Sequence, residues 1–412
     1  MKLKDKFFIF SLISSVFTAM VTHAQVKTGI DMLQESNFSV LVGKRVGLLT
    51  NPTGVDRNMR STVDILYAAK EVNLTTLFAP EHGIRGSELA GASVSNTVDK
   101  STGLTVYSLH GKTKTPTADM LKNVDAIVYD IQDIGCRSYT FISSLGNVMT
   151  AAAQYNKEVI VLDRPNPLGG EKVEGPIVRT GFFSFVSQFD VPYIYGLTVG
   201  ELAGLINNER PVEKRCRLTV VKMEGWKRNM TFRETGLPWV LTSPQIPTPE
   251  AAIAYPMSGI VGELNAIQIG VGYTLPFQVF AAEWVDGEAL AKAMNRLALP
   301  GLYFRPITFK PYFGISSGHP VSGVQIYITD YSKAMLTEVQ WYVAQELHRM
   351  YPNHDLFKLG NLKNYAMFDN VCGTSQVRLQ LTKRYQVEDV LKLWRGDAEA
   401  FKVRSAAFKL YE

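Results

Sequence analysis

"VDAIVYDIQDIG", residues 124–135, decides the fold. Ala126 to Tyr129 are apolar without alternation, and the run then breaks into Asp130 and Asp133. A strand with one face in water alternates apolar and polar residues. An unbroken run suits a strand covered on both faces, which is the condition of a parallel sheet. Four further runs have the same character: "RVGLLTNPTG" (45–54), "LTTLFAPEHG" (74–83), "LTVYSLHGK" (104–112) and "EVIVLDRPNPLGG" (158–170). Helical patterns separate several of them. "STVDILYAAKEV" (61–72) has Ser61 as a candidate cap, and "SSLGNVMTAAAQY" (143–155) has a periodic apolar face. Strand alternating with helix predicts a doubly wound α/β fold with a mostly parallel sheet.

In such sheets ligands bind beyond the carboxyl ends of the strands. Every run here ends in chemistry-bearing residues: Asn51; Glu81 and His82, with Arg85 behind them; His110; Asp130 and Asp133; Asp163, Arg164 and Asn166. A parallel sheet brings all five ends to one edge. Glu81 is therefore expected to face a cleft shared with Asp130, Asp133 and Asp163. The plainer alternative is that each aspartate caps a helix or shapes a turn, that Arg85 is a solvated charge and that His110 shapes a turn beside Gly111. No Gly-x-Gly-x-x-Gly follows the first run, and no phosphate-binding Gly-x-x-x-x-Gly-Lys-Ser/Thr occurs. Carboxylates among Asn, His and Arg remain. Paired carboxylates are the equipment of glycoside hydrolysis, one as acid and one as base or nucleophile. Crowded like charges push one of them up and keep it protonated. The aspartates alone would also suit a metal-assisted hydrolase, since Mg and Ca prefer oxygen ligands. No cofactor is called for.

The chain has 412 residues, 46% hydrophobic and 20% charged, with a net charge of +5. Lys2, Lys4 and Lys6 against Asp5 supply +2 of that and lie in a segment expected to be removed, which leaves +3. So mild a charge, without a basic run, gives no argument for nucleic acid. The N-terminus, residues 1–24, reads as a signal peptide: "MKLKDK" is basic, "FFIFSLISSVFTAMV" is apolar, and Ala24 offers a cleavage point. Gln25 rather than Cys follows, which disfavours a lipoprotein. The expectation is an exported protein, periplasmic or secreted, without membrane insertion after cleavage. Three cysteines, Cys136, Cys216 and Cys372, allow at most one disulfide. No Cys-x-x-Cys is present, so a structural zinc site has no support.

Several long blocks carry a resemblance: "GLLTNPTGVD", "FAPEHGIRG", "VYSLHGKTKTPT", "IVYDIQDIGCRSYTF", "LDRPNPLGGEKVEGPI" and "GLTVGELA", with "SGVQIYITD" and "AFKVRSAAFKLYE" later. Together they resemble the exo-β-N-acetylmuramidase family NamZ, over nearly the whole mature chain. The resemblance implies a Rossmann-like catalytic domain with a C-terminal auxiliary domain. It implies release of N-acetylmuramic acid (MurNAc), or a disaccharide ending in it, from the non-reducing end of peptidoglycan fragments. The glutamate of the "PEHG" block maps to Glu81 as the catalytic residue; from their strand end, Asp130 and Asp133 are expected to act beside it on the substrate or the attacking water. Tyr139 and Glu174, inside matching blocks, join Asn51, His82, Arg85, His110, Arg137, Asp163, Arg164, Asn166, Tyr195 and Asn265 as the expected substrate-binding set. Two stretches depart from the family. Tyr195 in "YIYGLT" stands where a histidine is usual, and "GELNAIQIGVGYTLPF" (262–277) keeps Asn265 and Phe277 but lacks the usual second glutamate and both arginines. Arg164, or else Arg137, is then expected to bind the lactyl carboxylate of the sugar, since arginine binds that group bidentately. A non-catalytic peptidoglycan-binding paralogue stays open as an alternative.

"SPQIPTPEAAIAYP" (243–256) reads as a proline-rich junction, dividing a catalytic part (25–247) from an auxiliary α+β part (248–412). The latter has helix patterns at 287–299 and 337–351 and a strand pattern at 323–330. Trp226, Trp239 and Tyr255 are read as core or as a sugar platform. Trp341 and Trp394 are read as core.

Overall fold

The computed structural model of the chain describes residues 25–81, 83–85, 96–360 and 362–412. The expected signal segment and His82 therefore lie outside the described residues. The predicted strands are β1 (Arg45–Thr50), β2 (Asn73–Ala79), β4 (Thr105–Ser108), β5 (Ala126–Asp130) and β6 (Glu158–Leu162). Two were not foreseen: β3 (Thr97–Val98), which is very short, and β7 (Arg217–Val221), an edge strand whose half-exposed residues lack an apolar run. The order is β3-β4-β2-β1-β5-β6-β7, and every pairing is parallel except β3 with β4.

The order runs outward in both directions from the β1–β5 pair, so crossovers on the two sides of that pair cover opposite faces. Helices α1 (Gly29–Glu35) and α2 (Thr62–Ala68) cover one face, packing on Val46, Leu48, Leu77, Val128 and Ile160. Helices α3 (Phe141–Gln154) and α4 (Val199–Glu209) cover the other, packing on Leu49, Phe78, Tyr129, Val159 and Val161. Adjacent residues of one strand thus enter different cores, the physical reason for runs without alternation. Ser61 takes the N-cap position of α2, though without a side-chain cap bond.

The proline-rich stretch is not an extended junction. Helix α5 (Pro249–Gly262) begins inside it. Pro249 occupies the first helical turn, where its missing N–H costs nothing, and Thr248 caps the helix by accepting from the Ala251 N–H. Pro256 lies inside the helix, which removes one intrahelical hydrogen bond. Beyond it stand three antiparallel strands, β8 (Val279–Ala282), β9 (Leu302–Phe309) and β10 (Val321–Ile328), in the order β8-β10-β9. Helices α6 (Gly287–Arg296) and α7 (Val339–Met350) match the predicted patterns. Five more follow: α8 (Leu356–Leu359), α9 (Leu362–Cys372), α10 (Gln376–Arg384), α11 (Val387–Leu391) and α12 (Arg395–Ser405). Trp341 and Trp394 are core residues, as expected.

One apolar core crosses from the first half to the second, joining Ile134, Cys136, Leu168, Tyr193 and Ile194 to α5 and α7. Polar contacts follow the same seam. The Thr337 N–H donates to Glu174 Oε2 at 2.9 Å, and Lys172 Nζ donates to the Ala334 carbonyl at 2.8 Å. The end of the chain returns to the first sheet. Tyr411 donates to Asp163 Oδ2 at 2.6 Å, the Leu410 N–H to Glu201 Oε1 at 2.7 Å, and the Arg228 N–H to the Glu412 carbonyl at 2.9 Å. All three cysteines are buried free thiols. Among the described residues no helix is long and apolar enough to cross a membrane.

Candidate active site

The β1–β5 switch point, where a ligand crevice is expected, is filled by the protein's own polar groups. Arg164 Nε and Nη2 donate to the two oxygens of Asp130 at 2.6 and 2.9 Å, and Nη2 also donates to the Val55 carbonyl at 2.8 Å. Thr62 donates to Asp130 Oδ2. Asn51 Oδ1 accepts from the N–H and hydroxyl of Thr53. Asp130 is 0% exposed and Arg164 5%. Asp130, expected to act on substrate, and Arg164, expected to receive a lactyl carboxylate, are thus paired with each other rather than facing an open cleft.

The remaining expected residues sort in the same way. Asp163 accepts from Thr198, Tyr411 and the Gly200 N–H, with burial pushing its carboxyl up to about 6. Asn166 holds the Leu197 carbonyl and the Leu168 N–H. Arg137, fully buried, donates to the carbonyls of Pro176, Val191 and Val371 and to the Ser187 hydroxyl, so it ties loops together. Tyr195, also buried, donates to Asp133, which likewise accepts from the Gly135 N–H at 2.7 Å. Burial pushes Asp133 up to about 6. Glu174 belongs to the seam, and Arg85 pairs with Asp99 and Ser101. None of these lines the cleft that holds Glu81.

That cleft, about 510 Å³, opens between the end of β2, the loop entering α3, and the second half of the chain. Glu81 follows β2 in a turn closed by the Gly83 N–H on the Pro80 carbonyl at 3.2 Å. Gly83 has φ +75°, a conformation that favours glycine. His110, at the end of β4, places Nε2 4.0 Å from Glu81 Oε1. The Thr140 hydroxyl lies 3.5 Å from Oε2. Tyr139 lines the cleft and donates to Thr242 at 2.7 Å. Ser138 stands between the hydroxyls of Tyr193 and Tyr255, at 3.0 and 3.1 Å. Tyr255, Glu263, Phe277 and Phe313 form the facing wall. Behind them a recess of about 260 Å³ shares Tyr255, Glu263 and Phe277 and includes Asn265.

The site thus unites Glu81, His110, Tyr139 and, in the recess, Asn265. Of the aromatic candidates only Tyr255 faces it. Trp226 is buried against Tyr411, and Trp239 packs edge-on to Phe232. The sequence reading missed Ser138, Thr140 and Glu263. A signal existed for the last: Glu263 is the only charged residue between Glu250 and Glu283. Among the described residues no group of three His, Cys, Asp or Glu could hold a metal ion.

Comparison with known proteins agrees with this architecture. Residues 46–250 match the family model described as exo-beta-N-acetylmuramidase NamZ, N-terminal, and residues 253–411 match its C-terminal counterpart. The peptidoglycan beta-N-acetylmuramidase NamZ of Bacillus subtilis (strain 168) is 41% identical over 387 residues, covering 94% of this chain and 92% of that protein. Two crystal structures of DUF1343 family proteins from Bacteroides fragilis NCTC 9343 superpose on the chain. One has a TM-score of 0.91 at 52% identity, the other 0.74 at 26%, and each match covers 94% of this chain and 99% of that one. With the same sheet, the same two halves and matches along nearly its whole length, the chain belongs to the exo-β-N-acetylmuramidase NamZ family.

Proposed function

We propose that this protein is an exported glycosidase that releases MurNAc, or a MurNAc-ended disaccharide, from the non-reducing end of peptidoglycan fragments in the periplasm. One observation carries the reading: Glu81 stands in an open cleft beside an imidazole and a hydroxyl, while the other expected carboxylates are buried in hydrogen-bond networks. The cleft's volume lies within the range of about 300–1,000 Å³ usual for small-molecule sites. Family membership and the named activity of the Bacillus subtilis relative support the substrate class. The basic and apolar N-terminal segment supports export.

The test is release of free sugar from a defined MurNAc-terminated glycan, with wild type and Glu81→Gln side by side. Wild type should release the sugar. The variant should be slower by roughly 10²–10⁴-fold, the scale of a lost acid–base group. Binding of the glycan without turnover by the wild type would leave a peptidoglycan-binding paralogue as the better reading.

A further inference from the structure

Glu263 lies in the same cleft as Glu81 but comes from the opposite half of the chain, at the C-cap of α5. The two carboxyls have contrasting neighbours. Glu81 has the His110 imidazole and the Thr140 hydroxyl, both able to hydrogen-bond a carboxylate or the water it activates. Glu263 stands with Tyr255 and Phe277, with Ile267, Ile269 and Val271 lining the recess beside it. No hydrogen bond or ion pair to its carboxyl is found among the described residues, and burial raises its proton affinity. A carboxyl at a helix's C-terminal end also faces the negative end of the helix dipole. Setting an unpaired carboxylate into such a wall costs stability. No structural contact among the described residues offsets that cost.

Resting on the muramidase reading, we propose that Glu263 is the general acid of the reaction and Glu81 its base, so that each half of the chain supplies one carboxyl. The Glu263 proton passes to the glycosidic oxygen as the C1–O bond breaks, and the bonding electron pair stays on that oxygen. Glu81 removes a proton from a water whose oxygen bonds to C1. One water is consumed and two sugar hydroxyls result. The proton taken by Glu81 goes back to Glu263 through solvent.

The environment fits this division. Burial pushes Glu263 up to about 7, so a large share of it carries the proton at neutral pH. The titratable groups around it are Tyr255 on α5, Tyr193, Cys372 on α9 and, lining the same cleft, Glu81 and Tyr139. Burial raises the three tyrosines and the thiol, so none of those four releases a proton near neutrality.

Two MurNAc glycosides test the assignment, one with a sugar leaving group and one with a nitrophenolate, which leaves without protonation. Glu263→Gln should lower kcat on the sugar-linked substrate by roughly 10²–10⁴-fold and lose far less on the nitrophenyl one. Its pH profile should also lose the alkaline limb. Glu81→Gln should suffer on both. Thermal melting checks that the variants are folded. If Glu263→Gln fails to fold, Glu263→Asp, which draws the acid back by one methylene, should show the same leaving-group-selective loss. Near-wild-type turnover of the sugar-linked substrate, or equal losses on both substrates, overturns the pairing alone. A wild type that cleaves neither glycoside overturns the muramidase reading beneath it.

Discussion

Asp130 is held by two nitrogens of the Arg164 guanidinium, and both groups are buried. Removing one partner of such a pair strands the other as a buried charge, which costs on the order of 3–5 kcal/mol. Asp130→Asn should therefore lower the midpoint of urea unfolding strongly while activity per folded molecule stays near wild type. Arg164→Ala should behave likewise, with no loss on a MurNAc substrate beyond that on its GlcNAc counterpart. Glu81→Gln should show the reverse: unfolding within about ±0.5 kcal/mol of wild type, as for a partly exposed position away from the core, and turnover largely lost. At this scale Glu81 and His110 were legible, because a carboxylate and an imidazole at strand ends suit a ligand. The burial of Asp130 was not legible, for a physical reason. A strand-end aspartate looks the same in sequence whether water or arginine lies beyond it. Its partner is 34 residues away and meets it only once β5 and β6 have aligned.

Between β5 and α3 the chain must deliver Ser138 to Phe141 to the cleft, and Gly135 sets the path. Its φ is +80°, and a Cβ there would stand 2.2 Å from Asn166 Oδ1. Gly135→Ala should destabilise by roughly 1–3 kcal/mol from backbone strain alone, read by urea unfolding. It should also raise KM, because the cleft-lining residues three to six positions on shift with the loop. Helix α5 carries the other wall, and its existence was hidden by its own prolines. Pro249 and Pro256 read as a junction, yet the first sits where a helix tolerates proline and the second is buried, its carbonyl accepting from Gln340 Nε2 at 2.9 Å. Glu263 was overlooked for another reason: the divergent 262–277 stretch was read for the charges it lacks rather than for the one it keeps. Strand β7 was missed because Thr219 interrupts its apolar residues and its edge position leaves them half-exposed; its pairing with β6 supplies the order.

Across the molecule, the doubly wound sheet was legible because burial on two faces writes unbroken apolar runs into the chain. The packing of its two halves was not, since contacts such as Glu174 with Thr337 join residues far apart in sequence. That seam has a pH signature. Burial pushes Glu174 up to about 7, above the ordinary glutamate value near 4.3. Between those pH values the folded state keeps a proton that the unfolded chain has released. Stability from this group therefore falls as pH rises through that window and levels off above it. Glu174→Gln keeps an acceptor for the Thr337 N–H and removes the titration. It should be more stable than wild type at pH about 8, by about 1–3 kcal/mol, and nearly equal to it at pH about 4, as measured by urea midpoints. A destabilised variant at the higher pH would mean that Lys172, 3.9 Å from Glu174, needs the charge. The returning tail has a different kind of consequence. Leu410 and Tyr411 complete hydrogen bonds with Glu201 and Asp163, residues that leave the ribosome 209 and 248 positions earlier. The first sheet thus waits, through most of the time the polypeptide is being made, for donors that arrive last. Cutting the chain before Leu410 would leave Glu201 and Asp163 each one donor short in the interior, so the tail acts as a latch on a sheet built long before it.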